Sequence, residues 1–278
     1  MSNTHKIAVI TGAGGTLCSE MARNLAIQGY KVALLGRSVD KLKIVEEEIM
    51  STGGIAISVG TDVADEKSVK EARDTIEKEL GLCTLLINGA GGNQNDALTN
   101  ITEFDERELL NDGSVKGFFN LKMDVFRSVI DINTMGTVIP CFVFGRDMAV
   151  QKLGCIINFA SMTSFRSISK VGAYTIAKGG IVNFTHWLAA YLASANIRVN
   201  AIAPGFFLND RSRKIMFNDD GSHTARATAV LGHTPMKRFG KAPELIGCMN
   251  WLINDDTAGF VTGQTISVDG GFLSSAGV

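Results

Sequence analysis

Short apolar runs recur along this chain and alternate with longer amphipathic or charged stretches. That alternation restricts the fold more than any single residue does. Residues 6–10, 31–35, 55–59, 85–88, 156–160 and 197–203 are dominated by Ile, Val, Leu and Ala and are too short for helices, so they read as buried strands. Residues 17–28, 38–50, 65–80, 124–151 and 172–194 read as the helices between them, with another expected at 243–254. Strand after helix after strand predicts a parallel sheet covered on both faces, here one doubly wound α/β domain. No Pro/Gly/Ser-rich linker, repeat or low-complexity stretch divides it, so residues 1–278 are read as one unit.

Composition narrows the function. A net charge of −1 with no basic block argues against nucleic acid or an anionic membrane as partner. Cys18, Cys83, Cys141, Cys155 and Cys248 are scattered without a C-x-x-C pair and read as buried thiols of a reducing compartment. The longest uncharged stretch, 132–145, is too short to cross a bilayer and is broken by Gly136 and Pro140. Residues 7–10 run into a glycine turn instead of a signal-peptide core. A soluble cytoplasmic protein is expected. The histidines lack metal-ligand spacing, so no catalytic metal is expected.

The chemistry-bearing residues lie at the ends of the predicted strands. After the first strand comes Thr11-Gly12-Ala13-Gly14-Gly15-Thr16-Leu17-Cys18. Glycines there let backbone amides approach a pyrophosphate at a helix amino terminus; the plain alternative is a simple strand-to-helix turn. The second strand ends in Gly36-Arg37-Ser38. An acidic residue at 36 would hold an adenosine ribose and repel a 2′-phosphate, whereas Arg37 offers such a phosphate two donors. This reads as NADP(H) preference, with NAD(H) the alternative if Arg37 is only a solvated turn residue. Ser161 follows the run 156–160, at the carboxyl end where open α/β sheets place ligands. Thirteen residues later, Tyr174-x-x-x-Lys178 sets a phenol and an ammonium on one helical face. A phenol ionises near pH ~10, and a neighbouring cation lowers that value, which makes the pair a proton-transfer device. Taken alone, the same pair is also what a surface helix carries.

With Asn133, 28 residues before Ser161, this set resembles the catalytic residues of the short-chain dehydrogenase/reductase family. The likeness covers nearly the whole chain. Thr11 and Gly12 begin the family's T-G-x-x-x-G-x-G, although Thr16 and Cys18 replace the later glycines and Gly14 and Gly15 are additional. Thr61-Asp62-Val63 matches the adenine-bracketing pair, and Asn88-Gly89-Ala90-Gly91 resembles N-N-A-G with glycine second. Residues 198–205 match R-V-N-x-x-x-P-G, and residues 262–271 the closing T-G-x-x-x-x-V-D-G-G.

The resemblance implies a seven-stranded parallel sheet, an NAD(P)-dependent carbonyl/alcohol oxidoreductase, and a homotetramer formed through the helices carrying Asn133 and Tyr174. Residues 1–122 would form the cofactor half and 123–278 the catalytic half. Tyr174 would move the proton, Ser161 hold the reacting oxygen, Lys178 bind the ribose and Asn133 hold a relay water. Gly12, Gly14, Gly15 and Leu17 would line the phosphates, and Asp62 and Val63 the adenine. Asn88, Ala90 and Gly91 would border the cofactor, the small residues letting the nicotinamide ribose lie close to the backbone while Asn88 can tie neighbouring strands together. Pro204, Gly205, Phe207 and Asn209 would meet the nicotinamide end.

The substrate is less tightly specified. Several motifs, among them Ala-Pro-Gly-Phe-Phe-Leu and His-Thr-Pro-Met-x-Arg-Phe-Gly, resemble the subgroup named D-mannonate oxidoreductase (fructuronate reductase). The leading substrate pair is therefore D-fructuronate/D-mannonate. The alternatives are a gluconate-type keto acid, a polyol or a 3-oxoacyl thioester, or a non-catalytic dinucleotide sensor, which has no need of an activated phenol. A sugar carboxylate needs a cation once water is excluded. Arg166 and Lys170, on the loop between Ser161 and Tyr174, are the expected partners, unless both face solvent or a neighbouring subunit. Arg211 and Arg213 stand second. Asn93 is expected to face the site. The polar, acidic segment 92–122 reads either as a substrate cover or as a surface or subunit contact.

Overall fold

The computed structural model describes residues 6–110 and 112–274, with backbone alone at 210 and 211. The strands are β1 (Ile7–Thr11), β2 (Lys31–Gly36), β3 (Ile55–Gly60), β4 (Leu85–Asn88), β5 (Gly154–Phe159), β6 (Ile197–Pro204) and β7 (Thr265–Val268). The helices are α1 (Thr16–Ile27), α2 (Val39–Ser51), α3 (Glu66–Glu79), α4 (Met123–Gln151), α5 (Gly172–Leu192), α6 (Asp210–Met216), α7 (Ala225–His233), α8 (Ile246–Ile253) and α9 (Asp255–Ala258). The strands form one parallel sheet in the order β3-β2-β1-β4-β5-β6-β7. The expected seven-stranded, doubly wound sheet is what forms. Its order reverses between β1 and β4, and a crevice opens at the carboxyl ends there.

Alternation along β1 shows why the runs are apolar throughout. Ala8 and Ile10 pack against α1, α2 and α8, while Ile7 and Val9 pack against α3, α4 and α5. Both faces are buried, so no strand position is left for a polar alternation. Helix α4 is long and apolar enough to cross a bilayer by length and composition. It is nevertheless a core helix. Phe144 and Met148 are fully buried against the sheet, each stabilising the fold by roughly 1.5–3 kcal/mol. Its Asp147 accepts two hydrogen bonds of 2.8 Å from Arg73 of α3.

The segment between β4 and α4 is ordered as three short 3₁₀ turns at Asn95–Ala97, Glu106–Leu110 and Phe118–Asn120. Its acidic character is not all surface, because Glu108 is buried. The Glu108 carboxylate accepts from the Phe119 amide at 2.9 Å, and any side chain at Gly117 would strike that carboxylate. The segment also flanks the loop before α5. Ala97 packs with Val129 and Ala173 beside Tyr174, and the Thr99 amide donates to the Lys170 carbonyl at 3.3 Å.

Candidate active site

At the reversal point the turns after β1 and β4 interlock. Gly12 has φ of +68°, and a Cβ on it would lie 2.9 Å from the Ala90 Cα, so only glycine serves. The Thr11 hydroxyl accepts from the Gly89 and Ala90 amides, both at 3.1 Å. The Cys18 sulfur fills the space where a Gly89 side chain would stand. The two departures from the family motifs, Cys18 for glycine and Gly89 for asparagine, thus complement each other across one contact.

From this interlock a cleft runs over Gly12, Gly14 and Gly15 to Gly36 and Arg37, and past Asp62 and Val63 to Ala90 and Gly91. The predicted phosphate, adenosine and ribose residues are brought together there. A glycine-floored trough with cations at its adenosine end fits an extended dinucleotide. Lys41, which the sequence reading missed, joins Arg37 and Ser38 on that rim. The available signal was its spacing, four residues beyond Arg37 on the first turn of α2. Two of the expected residues keep their side chains out of the trough. Leu17 packs its side chain against the core. Asn88 is buried and donates to Asn158 Oδ1 at 2.9 Å and to Cys141 Sγ at 3.1 Å, so its side chain ties β4 to β5 and α4, the strand-joining role read for it in the sequence. A buried amide needs such partners.

On the other side, Pro204 and Gly205 close β6. A side chain on Gly205 would lie 2.6 Å from the Asp269 Cα. Phe207 bridges in parallel to Gly240, and its ring lies over that glycine. Asn209 caps α6, its Oδ1 accepting from the Ser212 amide at 2.8 Å. One end of the side-chain amide expected at the nicotinamide end is therefore engaged in the cap, as asparagine is a strong helix cap.

The central residues come from β5, α4 and α5. Ser161 caps the turn Met162–Ser164, its Oγ accepting from the Thr163 amide at 3.2 Å, and it stands near enough to the Tyr174 hydroxyl to favour ionisation of the phenol. Ser164 Oγ donates to the Lys178 carbonyl at 2.7 Å, which fixes this loop to α5. Lys178 is buried one turn beyond Tyr174, with Nζ 5.6 Å from the phenol ring centre and donating to the Phe159 carbonyl at 2.7 Å. Asn133 grips the turn after β4: Nδ2 donates to the Gly92 carbonyl at 2.7 Å, and Oδ1 accepts from the Gly92 amide at 3.1 Å. Its own carbonyl accepts from Thr137 Oγ1 at 3.0 Å. Gly91 lies between Asn133 and Lys178; a Cβ there would overlap Asn133 Oδ1 and stand 3.6 Å from Lys178 Nζ.

The electrostatics correct one expectation. Burial raises the Tyr174 pKa above the usual phenol value, and the neighbouring Ser161 hydroxyl only partly opposes it. Burial also lowers Lys178 to about 8, with the neighbouring Cys18 thiol pulling the other way. The ammonium is directed at the Phe159 carbonyl, so desolvation outweighs the charge that sequence alone counts.

The loop after Ser161 divides the expected substrate cations. Arg166 borders a second cleft, between residues 166–169 and α7. Lys170 does not border it; Lys170 takes a left-handed φ of +74° and turns its carbonyl to Thr99. Asn93 is half-buried, with Oδ1 accepting from the Gln94 amide at 3.1 Å. Arg213 is exposed on α6, and the Arg211 side chain lies outside the described residues.

A parallel sheet with a dinucleotide trough at its reversal point, and Ser, Tyr and Lys beside it, defines a nicotinamide-dependent oxidoreductase. The chain belongs to the short-chain dehydrogenase/reductase family: a family model described as enoyl-(acyl carrier protein) reductase matches residues 12–273. It is 43% identical to an uncharacterised oxidoreductase, UxuB, of Bacillus subtilis, over 98% of this chain and 96% of the relative. A crystal structure of a provisionally assigned D-mannonate oxidoreductase from Haemophilus influenza, with bound NAD, superposes with a TM-score of 0.92 at 40% identity, covering 99% of both chains. More distant is the 3-oxoacyl-[acyl-carrier-protein] reductase FabG of Staphylococcus epidermidis, 31% identical over 96% of this chain and 98% of the relative.

Proposed function

We propose that this protein interconverts a sugar-acid carbonyl and its alcohol, with D-fructuronate and D-mannonate as the leading pair. The observation that carries the reading is the placement of Arg166, a cation on the wall of a cleft entered by the same loop that begins at Ser161. The D-mannonate assignment of the Haemophilus relative supports it. Bound nicotinamide supplies or takes the hydride. Ser161 holds the reacting oxygen, and Tyr174 gives its proton to that oxygen in the reducing direction. Burial keeps the phenol protonated before substrate arrives, and the neighbouring Ser161 hydroxyl works towards releasing that proton. Lys178, with Nζ 5.6 Å from the phenol ring centre, would bind the nicotinamide ribose, and Asn133, which holds the Gly92 turn, would hold the relay water behind it.

Preference for NADP(H) rests on Gly36 and on the paired cations Arg37 and Lys41; the NAD in the Haemophilus relative favours the other cofactor. A homotetramer in the cytoplasm is part of the same reading. Exposed Phe142 and Val150 on α4, and the stacked Trp187 and Tyr191 on α5, supply apolar faces for subunit contact. The test is a hydride-transfer assay with NADH and NADPH against hexuronates, aldonates, polyols and 3-oxoacyl thioesters. Turnover of a hexuronate or aldonate well above the others supports the proposal. Turnover confined to thioesters or polyols overturns it in favour of chemistry like that of the FabG relative.

A further inference from the structure

The cleft that Arg166 borders has a second wall, and that wall carries its own charge. Helix α7 presents Arg226, Ala229, Val230 and His233 to the cleft. Their spacing, i, i+3, i+4 and i+7, places them on one helical face, with a cationic residue at one end and an imidazole at the other. The face is held firmly. Thr224 Oγ1 caps the helix by accepting from the Ala227 amide at 3.2 Å, and Thr234 Oγ1 donates to the Val230 carbonyl at 2.8 Å. Ala227 and Val230 pack into a small core with Met216 and, at its edge, Phe206, Phe217 and Phe239. The Arg226 position is thus set by a packed helix and not by a free loop.

The cavity between the walls is about 500 Å³, within the range that encloses a small ligand. Phe206 and Phe272 contribute apolar surface to it. Two arginines from opposite walls, over such surface, suit one carboxylate on a short hydroxylated carbon chain. Neither a long acyl chain nor an uncharged polyol carries the anion that a guanidinium pairs with most strongly.

We propose that Arg226, opposite Arg166 and with His233 on the same helical face, is a specificity-determining residue that selects carboxylate-bearing substrates. This rests on the sugar-acid reading above. It moves the recognising charge away from Lys170 and from Arg213, neither of which borders this cleft. Arg226 touches the remote end of the substrate, so its loss weakens binding and leaves proton and hydride transfer intact.

The experiment compares wild-type protein with Arg226→Ala and Arg226→Lys, using a hexuronate and an uncharged keto-sugar of the same carbon number. Arg226→Ala should raise KM for the acid roughly ten- to hundredfold, the loss expected for a charge-assisted contact, with kcat changed by less than about threefold. KM for the keto-sugar should stay within about twofold. Arg226→Lys should fall between, because it keeps the charge and loses the fork. Cofactor affinity by fluorescence titration and the thermal midpoint should match wild type. If wild-type protein reduces the acid but Arg226→Ala shifts both substrates equally, or neither, the role of Arg226 is overturned and the sugar-acid reading stands. If wild-type protein reduces no sugar acid, both fall.

Discussion

The contact between Cys18 and Gly89 permits a quantitative test of how the two turns of the trough are joined. Gly89→Ala places a methyl inside the Cys18 sulfur, while the next nearest atoms, the Thr11 carbonyl oxygen and Cys18 Cβ, lie 3.1 and 3.7 Å away. The sulfur is therefore the main obstacle, the carbonyl a lesser one, and Cβ an ordinary neighbour. Overpacking of this kind costs about 1–3 kcal/mol. For a domain of this size that lowers Tm by roughly 2–12 °C. Cys18→Ala alone removes one buried sulfur atom and should cost about 1 kcal/mol, near the low end for a small core deletion. The double substitution removes the obstacle and keeps the 3.7 Å methyl contact, so it should be more stable than Gly89→Ala alone. Thermal melts of the four proteins, with cofactor titrations on each, close the cycle. Cofactor affinity should follow stability, because Gly89 and Ala90 hang by their amides on Thr11. If the double variant is no better than Gly89→Ala, the Thr11 carbonyl or the backbone is the true constraint and the complementarity argument fails.

Tyr174→Phe should reduce turnover by at least about a hundredfold, the lower range for losing a general acid, while cofactor still binds; near-normal steady-state turnover would remove Tyr174 from the chemistry. Arg37→Ala with Lys41→Ala should weaken NADPH binding roughly tenfold or more and leave NADH nearly unchanged, measured by Kd for each; equal losses would assign both cations to a phosphate common to the two cofactors. Lys178 is depressed from its usual value to about 8, so the unfolded chain holds the extra proton between about pH 8 and 10.5. The resulting penalty, about 3 kcal/mol, is fully present below pH 8 and fades as pH rises to 10.5. Lys178→Met should therefore be the more stable but inactive protein at pH 7, with its advantage shrinking above pH 8 in denaturant titrations; a constant gap would mean that Lys178 is not desolvated.

What was legible in the sequence follows from the range of the interactions involved. Strands buried on both faces are apolar at nearly every position, so β1, β2, β4 and β6 were located to within a residue and β5 to within two. Tyr174 and Lys178 are paired by helical spacing alone, and Ser161 by its place at a strand end. The contacts that were missed join distant positions. Cys18 meets Gly89 only because β1 and β4 are neighbours in the sheet, and Arg226 faces Arg166 only because α7 folds over the loop after β5. Glu108 looked like surface charge because its partner, the Phe119 amide, is a backbone group that no residue identity reveals.

The phenol is the instructive case. Sequence reading counted the neighbouring ammonium and expected Tyr174 to ionise more easily; the fold buries both groups, raising one pKa and lowering the other. The two shifts have one cause, since desolvation penalises phenolate and ammonium alike. They move phenol and amine apart in proton affinity, the ammonium becoming the better donor and the phenolate the better acceptor, so that once Tyr174 has given its proton to the reacting oxygen its reprotonation from the Lys178 side runs downhill. Charge attraction would have stabilised an ion pair and stopped the proton at one end. Dry packing around Ala173, Ala177 and Ala97 is thus as much a part of the site as the three polar side chains.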